Sequence, residues 1–337
     1  MKNMFVNRRC AGFTVVEMMV SMTIGLLVTA LVAVVFAGST ATYRLSDTNA
    51  ELIETGRNAM DAMERDVRMA GFRGCNTNNL GASAPFVNTI VTPTTHNDNY
   101  AVGIQVHNST GGAGVFVPAL TSVPAGIIGG SDALVVRVPT GPVLPVTATM
   151  AGGTAAITLA AATLAVGDRA VIASCSNAAA FIVTGIAGTD LQHAAGADNA
   201  TDNLGTAFDI DAVVIPFVTR TYFLAPSSTG VAGENSLWVR ENTGAATELA
   251  ENVEQMQILV GEDSDADMVT NRFRNVTAAT NFNNVLAIQI HLQTRGTRNS
   301  ETTSNLNYRF AGAAVAATDR FARRSFTSTI LLRNRTL

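Results

Sequence analysis

The chain has 337 residues, 47% hydrophobic and 14% charged, with a formal net charge of -4. That length supports one large folded domain or two, and the acidic balance argues against broad electrostatic binding of nucleic acid. The first twelve residues invert that balance, holding Lys2, Arg8 and Arg9 and no acid. From Phe13 to Phe36 the next 24 residues carry one charge, Glu17. A span of about 20 apolar residues crosses a bilayer as a helix, and the basic flank stays cytoplasmic. Everything after residue 36 is therefore expected on the far side of the inner membrane. A carboxylate inside such a span costs on the order of 2.5–3.5 kcal/mol on insertion scales, so Glu17 needs a reason to be there.

No proline precedes Pro85, which permits one helix from about residue 14 to 70. Beyond the apolar run the pattern becomes amphipathic: Ile53, Gly56, Met60, Met63, Val67 and Ala70 recur every three or four residues and mark one buried stripe. Asp61 with Arg65, and Glu64 with Arg68, are favourably oriented i,i+4 pairs. Gly71 supplies a stop, being able to adopt positive φ. After Gly74 the signal turns to strands. Segments 133–138, 143–150, 155–159, 169–174, 181–186, 213–224, 236–240, 253–260, 285–292 and 326–332 are rich in β-branched residues, with Gly, Pro and Asp between them. Segments 108–114, 151–153 and 187–205 are rich in Gly, Ala, Thr and Asn and are expected as exposed loops. No repeat period suggests a solenoid or propeller.

The N-terminal pattern, Gly12-Phe13-Thr14-Val15-Val16-Glu17 behind a basic leader, resembles the prepilin signal of type IV pilins and type II secretion pseudopilins. It departs from the commonest form only at Ala11, where that form has Lys or Arg. The resemblance implies that residues 1–12 are a leader cut by prepilin peptidase after Gly12, and that Phe13 becomes an N-methylated terminus. It further implies that Glu17 pairs with the terminal amine of a neighbouring subunit during assembly. An ordinary secretory signal has a shorter apolar core with its cleavage site behind it. Residues 37–39 resemble such a site, but Glu17 within the core opposes that reading, and an uncut single-pass anchor is the other alternative. Removing the three leader cations leaves 19 basic against 26 acidic residues, a net charge of -7. Cys10 departs with the leader. Cys75 and Cys175 remain as an even pair in an oxidising compartment and are expected to form a disulfide. Closing a loop of about 100 residues stabilises by roughly 4–5 kcal/mol in the chain-entropy model.

More than the leader matches. Arg65-Asp66-Val67-Arg68-Met69-Ala70-Gly71-Phe72 running into Gly74-Cys75 resembles the minor pilin family PilW. So do Val166-Gly167-Asp168 with Ser174-Cys175-Ser176, Ser236-Leu237-Trp238 with Arg240, and Val253-Glu254 before Gln257. Gly261 with its acidic cluster, and Phe326-Thr327-Ser328-Thr329 before Leu332-Arg333-Asn334-Arg335, complete the likeness. It implies an α+β, pilin-like fold: a filament-core half-helix over 13–36, an amphipathic half over 37–72, and a β-rich periplasmic head over 73–337. It also implies a low-abundance subunit, acting with other minor pilins and the major pilin to start pilus assembly. The expected place is the inner membrane and then the cell-surface pilus. A minor pseudopilin of a type II secretion system, and a pilus-tip adhesin or DNA-uptake subunit, are the rival readings.

Two segments carry further chemistry. Asp263, Asp265 and Asp267 alternate as in calcium loops, where hard oxygen ligands converge on the ion. Met268, however, stands where the sharp-turn glycine belongs, and Arg274 where a bidentate Glu would close the site. A solvated acidic hairpin loop is the simpler expectation. Arg320, Arg323, Arg324, Arg333 and Arg335 make the C-terminal segment locally basic, read as surface arginines paired with acids, or as a contact for DNA or an acidic partner pilin. His96, His107, His193 and His291 lack metal-ligand spacing. Gly111-Gly112-Ala113-Gly114 lacks the lysine of a phosphate loop, and no nucleophile elbow or zinc-protease helix is present. The chain is thus expected to be no enzyme and to need no cofactor beyond calcium, if the acidic loop takes it.

Overall fold

The computed structural model describes residues 12–75, 86–92, 95–299, 302 and 304–334. One helix, α1, runs Val15–Met69 and is 55 residues long, about 82 Å at 1.5 Å per residue. Its front half is exposed: the most apolar 18-residue window is wholly unburied. Hydroxyls there bond back along the helix, Ser21 to the Glu17 carbonyl at 2.6 Å and Thr29 to that of Gly25 at 2.7 Å. Local bonding of this kind leaves no polar side chain needing water in an apolar medium.

The rear half is seated on the head. Leu52, Gly56, Ala59, Met60, Met63, Val67 and Ala70 are buried. The stripe therefore begins one residue before Ile53, which is only half-buried, because the face in contact is wide enough to add Leu52 and Ala59. Of the two expected helix ion pairs, Glu64–Arg68 closes at 2.8 Å, whereas Asp61–Arg65 does not form. α1 ends at Ala70, and Gly71 turns the chain at φ 71°. Gly71 packs on Gly103 so closely that a Cβ on Gly103 would lie 2.6 Å from the Gly71 Cα.

A ten-stranded sheet is built around the 14-residue strand Val213–Pro226. Arg169–Ala173 and then Asn235–Glu241 pair along one of its edges. Leu144–Pro145 and then Ala133–Pro139 pair along the other. Outer strands extend these ladders: Ile104–Ser109 beside Ala133–Pro139, Ala178–Ile182 beside Arg169–Ala173, and Ala246–Ala250 beside Asn235–Glu241. A second sheet has four antiparallel strands in the order Arg272–Arg274, Val253–Glu262, Val285–Arg295, Arg323–Leu331.

Alternation of side chains gives each strand two faces. On one face of the large sheet Leu134, Val136, Tyr222, Leu224 and Leu237 meet α1 and the inner face of the second sheet, including Met256, Ile258, Ile290 and Ile330. On the opposite face Ala133, Val135 and Phe223 pack under Phe116, Leu120 and Ile127. A separate core, with Ile157, Phe181, Leu191 and Phe208 at its centre, fills the far end of the head. The buried Asp132 carboxylate joins the two sheets, accepting from the Ser109 N–H at 2.9 Å and the Ile258 N–H at 2.8 Å.

Several expectations shift. Segment 143–150 contributes only Leu144–Pro145, and 181–186 slides to Ala178–Ile182. Segment 187–205 is not simply exposed. It carries the short strand Asp190–Gln192 and a fully buried Asn199, whose side chain bonds both the N–H and the C=O of Ile182 at 2.8 Å. An Asn that replaces a strand neighbour has no periodicity by which to be seen.

Two predictions follow from burial. A methyl on Gly56 would lie 2.1 Å from the Phe326 ring, so Gly56→Ala should destabilise by about 1–3 kcal/mol in denaturant unfolding, overpacking outweighing helix propensity. The second concerns pH. Burial, then the charges of His107, Arg137 and Arg240, hold His96 at about 3. Burial, partly offset by a bond to the Pro118 carbonyl and reinforced by Arg137, holds His107 at about 4. Burial raises Asp132 to about 6 against its two N–H bonds. Depressed histidines stabilise above the unfolded value of 6.5 and lose that contribution as pH falls towards 4 and 3. The raised Asp132 works oppositely, over 3.8 to 6. Two histidines outweigh one carboxyl, so unfolding at pH 5 should take up a net of about one proton. Tm should therefore fall from pH 6.5 to 4.5, and a flat Tm across that range would contradict the burial of the pair.

Candidate functional site

Gly12 and Phe13 precede the first helical turn, and Phe13 is 81% exposed. Thr14 caps the helix through a reciprocal arrangement. Its hydroxyl accepts from the Glu17 N–H at 3.2 Å, while Glu17 Oε2 accepts from the Thr14 N–H and the Thr14 hydroxyl, both at 3.0 Å. Such a capping box satisfies helix-terminal donors that have no intrahelical partner. Here it also fixes the one carboxylate of the apolar segment at the end of the helix, beside Phe13. The residues before Gly12, expected as a leader and including Cys10, lie outside the described residues.

At the other end of α1, three connections seat the helix on the head. Asp66, 6% exposed, takes two bonds from Arg220 Nη1 at 2.9 and 3.1 Å and one from the Tyr222 hydroxyl at 2.5 Å. Burial and the Asp66 charge together push the Tyr222 hydroxyl far above its ordinary range, so it stays a donor. Glu64 accepts from Ser328, and the Ala70 carbonyl accepts from the Asn334 amide at 3.0 Å. Just beyond, Cys75 bonds to Cys175 across a sequence separation of 100 residues. That bridge ties the helix exit to the turn after Arg169–Ala173. Arg73 lies buried between them, its guanidinium 3.9 Å from the Phe86 ring centre.

The acidic segment is the hairpin loop between Val253–Glu262 and Arg272–Arg274. Ligand oxygens of Asp263, Asp265 and Asp267 lie within 4.8 Å of one another. Asp263 is already engaged: its oxygens accept from the backbone N–H groups of Asp265 at 3.2 Å, Ala266 at 2.7 Å and Met268 at 2.9 Å. Those bonds outweigh the opposing effect of burial and hold its carboxyl below the usual range. Met268 adopts φ 66°, the left-handed turn conformation for which a glycine was expected, and Ala266 adopts φ 62°. Arg274 makes a two-bond pair with Glu262, both at 2.6 Å. The loop is therefore organised by Asp263 as a turn anchor, while Asp265 and Asp267 remain exposed.

The C-terminal arginines do not act as one patch. The Arg323 side chain is 8% exposed, paired with Glu254 at 2.7 Å and with Asp319 at 2.5 Å. Arg324 and Arg333 are exposed, and Arg335 lies outside the described residues. Sequence reasoning missed the seat itself. Asp66 stood within the quoted Arg65–Phe72 motif, but Arg220 and Tyr222 are more than 150 residues away, and nothing local pairs them.

Comparison with known families agrees with the two ends of this description. Residues 7–33 match the prokaryotic N-terminal methylation motif. Residues 221–334, from the seat of α1 through the four-stranded sheet, match the family described as type IV pilus-assembly protein W. No curated protein and no solved structure matches the chain.

Removing the Asp66 carboxylate strands a buried tyrosine hydroxyl and a partly buried arginine. Asp66→Ala should cost about 2–4 kcal/mol in chemical unfolding, less than a fully buried pair because Arg220 keeps solvent contact. At the hairpin, Asp263→Ala should lower stability by about 1–3 kcal/mol, while Asp265→Ala leaves it unchanged. Calorimetric titration of the full chain with calcium checks the remaining question. A saturable heat abolished by Asp265→Ala is the outcome required for a calcium loop, and its absence leaves the turn anchor alone.

Proposed function

We propose that this chain, a PilW-like type IV pilin, is a minor pilin that helps to start pilus assembly, working by subunit packing rather than by catalysis. The observation that carries the reading is the division of α1. Its front half is apolar and uncovered and holds Glu17 as its one acid, and its rear half is fastened to a head whose C-terminal portion matches the PilW family.

The order of events is as follows. Prepilin peptidase cuts after Gly12 and Phe13 is N-methylated, leaving a positive amine at the helix terminus. Until assembly the helix stays in the inner membrane with the head in the periplasm. On assembly, lipid contacts along α1 are exchanged for contacts with the helices of other minor pilins and the major pilin. In lipid no hydrophobic force favours helix association, so packing and polar pairing decide it. A carboxylate paired with a neighbour's amine is strongly favoured over one left alone in a low dielectric, and Glu17 is placed for that role. Because Thr14 already donates to Glu17, the carboxylate is held in one orientation before a neighbour arrives.

The same leader chemistry serves pseudopilins of type II secretion, and the PilW match favours the pilus. An adhesin or DNA-uptake role would reside in the head. The burial and pairing of Arg323 weaken the basic C-terminal segment as a DNA contact.

Glu17→Ala should leave processing at Gly12 intact while subunits recovered in sheared pili fall at least tenfold. Normal incorporation of that variant would remove the assignment of Glu17. For the chain as a whole, pili should be lost on deletion and largely regained when the retraction motor is also removed. Unchanged pili with lost protein export would instead identify a secretion pseudopilin.

A further inference from the structure

Segments 95–102 and 116–128 cover the face of the large sheet opposite α1. Between them and the sheet lies a polar cluster that neither the pilus reading nor the sheet itself uses. Strand register builds its floor: Val135 stands opposite Thr221, and Thr221 opposite Arg240. The covering segment supplies His96, whose ring is 6.0 Å, centre to centre, from that of His107 on the neighbouring strand. His96 is 2% exposed, Thr221 0% and Arg240 8%.

The outward bonds of these groups are made. Thr121 Oγ1 meets the His96 N–H at 3.2 Å and His96 Nδ1 at 2.8 Å. Arg240 Nη2 donates to the Ser122 carbonyl at 2.6 Å. With its hydroxyl proton on His96 Nδ1, Thr121 leaves the His96 Nε2–H free as a donor. His107 Nδ1 is engaged with the Pro118 carbonyl at 2.8 Å, and its ring packs against His96. Unpartnered in this cluster are His96 Nε2, His107 Nε2, Arg240 Nε and the Thr221 hydroxyl. Each unsatisfied buried donor costs about 1–3 kcal/mol, and buried polar groups in folded proteins normally have a partner.

Charge decides what the partner is. Acids on the neighbouring elements are spent elsewhere: Asp98 on Arg169, Glu241 on Arg220, Glu248 on Ser227 and Ser228, and Asp132 on two backbone N–H groups. Arg240 makes no ion pair among the described residues, and its guanidinium is destabilised by burial with no acid to oppose it. Ordered water would satisfy the donors but leave the arginine charge uncompensated. A metal cation would be repelled by Arg137 and Arg240, both of which act on His96. Burial beneath two chain segments rules out a polymer.

We propose that Arg240 Nε, the Thr221 hydroxyl and His96 Nε2–H bind a small inorganic anion of chloride size, which fastens the two covering segments to the sheet. The site is independent of the pilus reading and stands or falls without it.

The test uses the full chain in detergent, unfolded thermally in sodium chloride and in sodium gluconate at matched ionic strength. Chloride should raise Tm saturably, by roughly 3–6 °C at a hundredfold excess over Kd. Arg240→Gln should abolish the increment, and the exposed Arg324→Gln should retain it. Crystals of the unaltered chain grown in bromide should show an anomalous peak within bonding distance of Arg240 Nε, a result that does not depend on any variant folding. Equal Tm in the two salts, an increment that survives Arg240→Gln, or water alone at the site in bromide would each overturn the proposal.

Discussion

Asp66 is the point on which the rest of the molecule turns. It is the charged group that α1 buries in the head, and it is met there by a guanidinium and a phenol from the central strand. Apolar contacts between Met60, Met63 and Val67 and the sheets supply most of the attraction, but such contacts are non-directional. A buried carboxylate with three bonds admits one rotation and one depth of the helix. The disulfide at Cys75 and the Asn334 bond at Ala70 then hold the helix exit in register with both sheets.

That fastening gives the uncovered half of α1 its meaning. With 55 residues in one unbroken helix that contains no proline, an orientation set at Asp66 extends to Glu17. The capping box does for the free end what Asp66 does for the seated one, placing a carboxylate by hydrogen bonds rather than leaving it to solvent. The head and the Glu17 end of α1 are thereby held in a fixed relation, as the proposed role in a filament requires.

Elsewhere in the head, polar groups organise backbone. Asp132 joins two sheets, Asn199 stands in for a strand neighbour, and Asp263 ties off an acidic hairpin. The cluster under segments 95–102 and 116–128 is the exception, since Arg240 pairs with no acid among the described residues. Asp132 and Asn199 meet partners from distant parts of the chain, whereas Asp263 is held by the backbone of its own loop.

The sequence by itself determined whatever depends on local order. A 24-residue run with one charge, an amphipathic repeat of three and four, and a glycine stop specify the helix, its two halves and its end, because these signals repeat within a few turns. Glu17 was legible for the same reason: it is a lone charge where none belongs. Setting aside Cys10 in the expected leader, two cysteines were enough to predict the pair. Only the tertiary structure decided which acids and bases meet. Asp66 with Arg220, Glu254 with Arg323, and the isolation of Arg240 are set by strands crossing from distant parts of the chain. The alternating aspartates fitted an acidic hairpin or a calcium loop in sequence, and the fold adds that Asp263 is a turn anchor, because a carboxylate's partners are fixed by which backbone donors the hairpin brings to it.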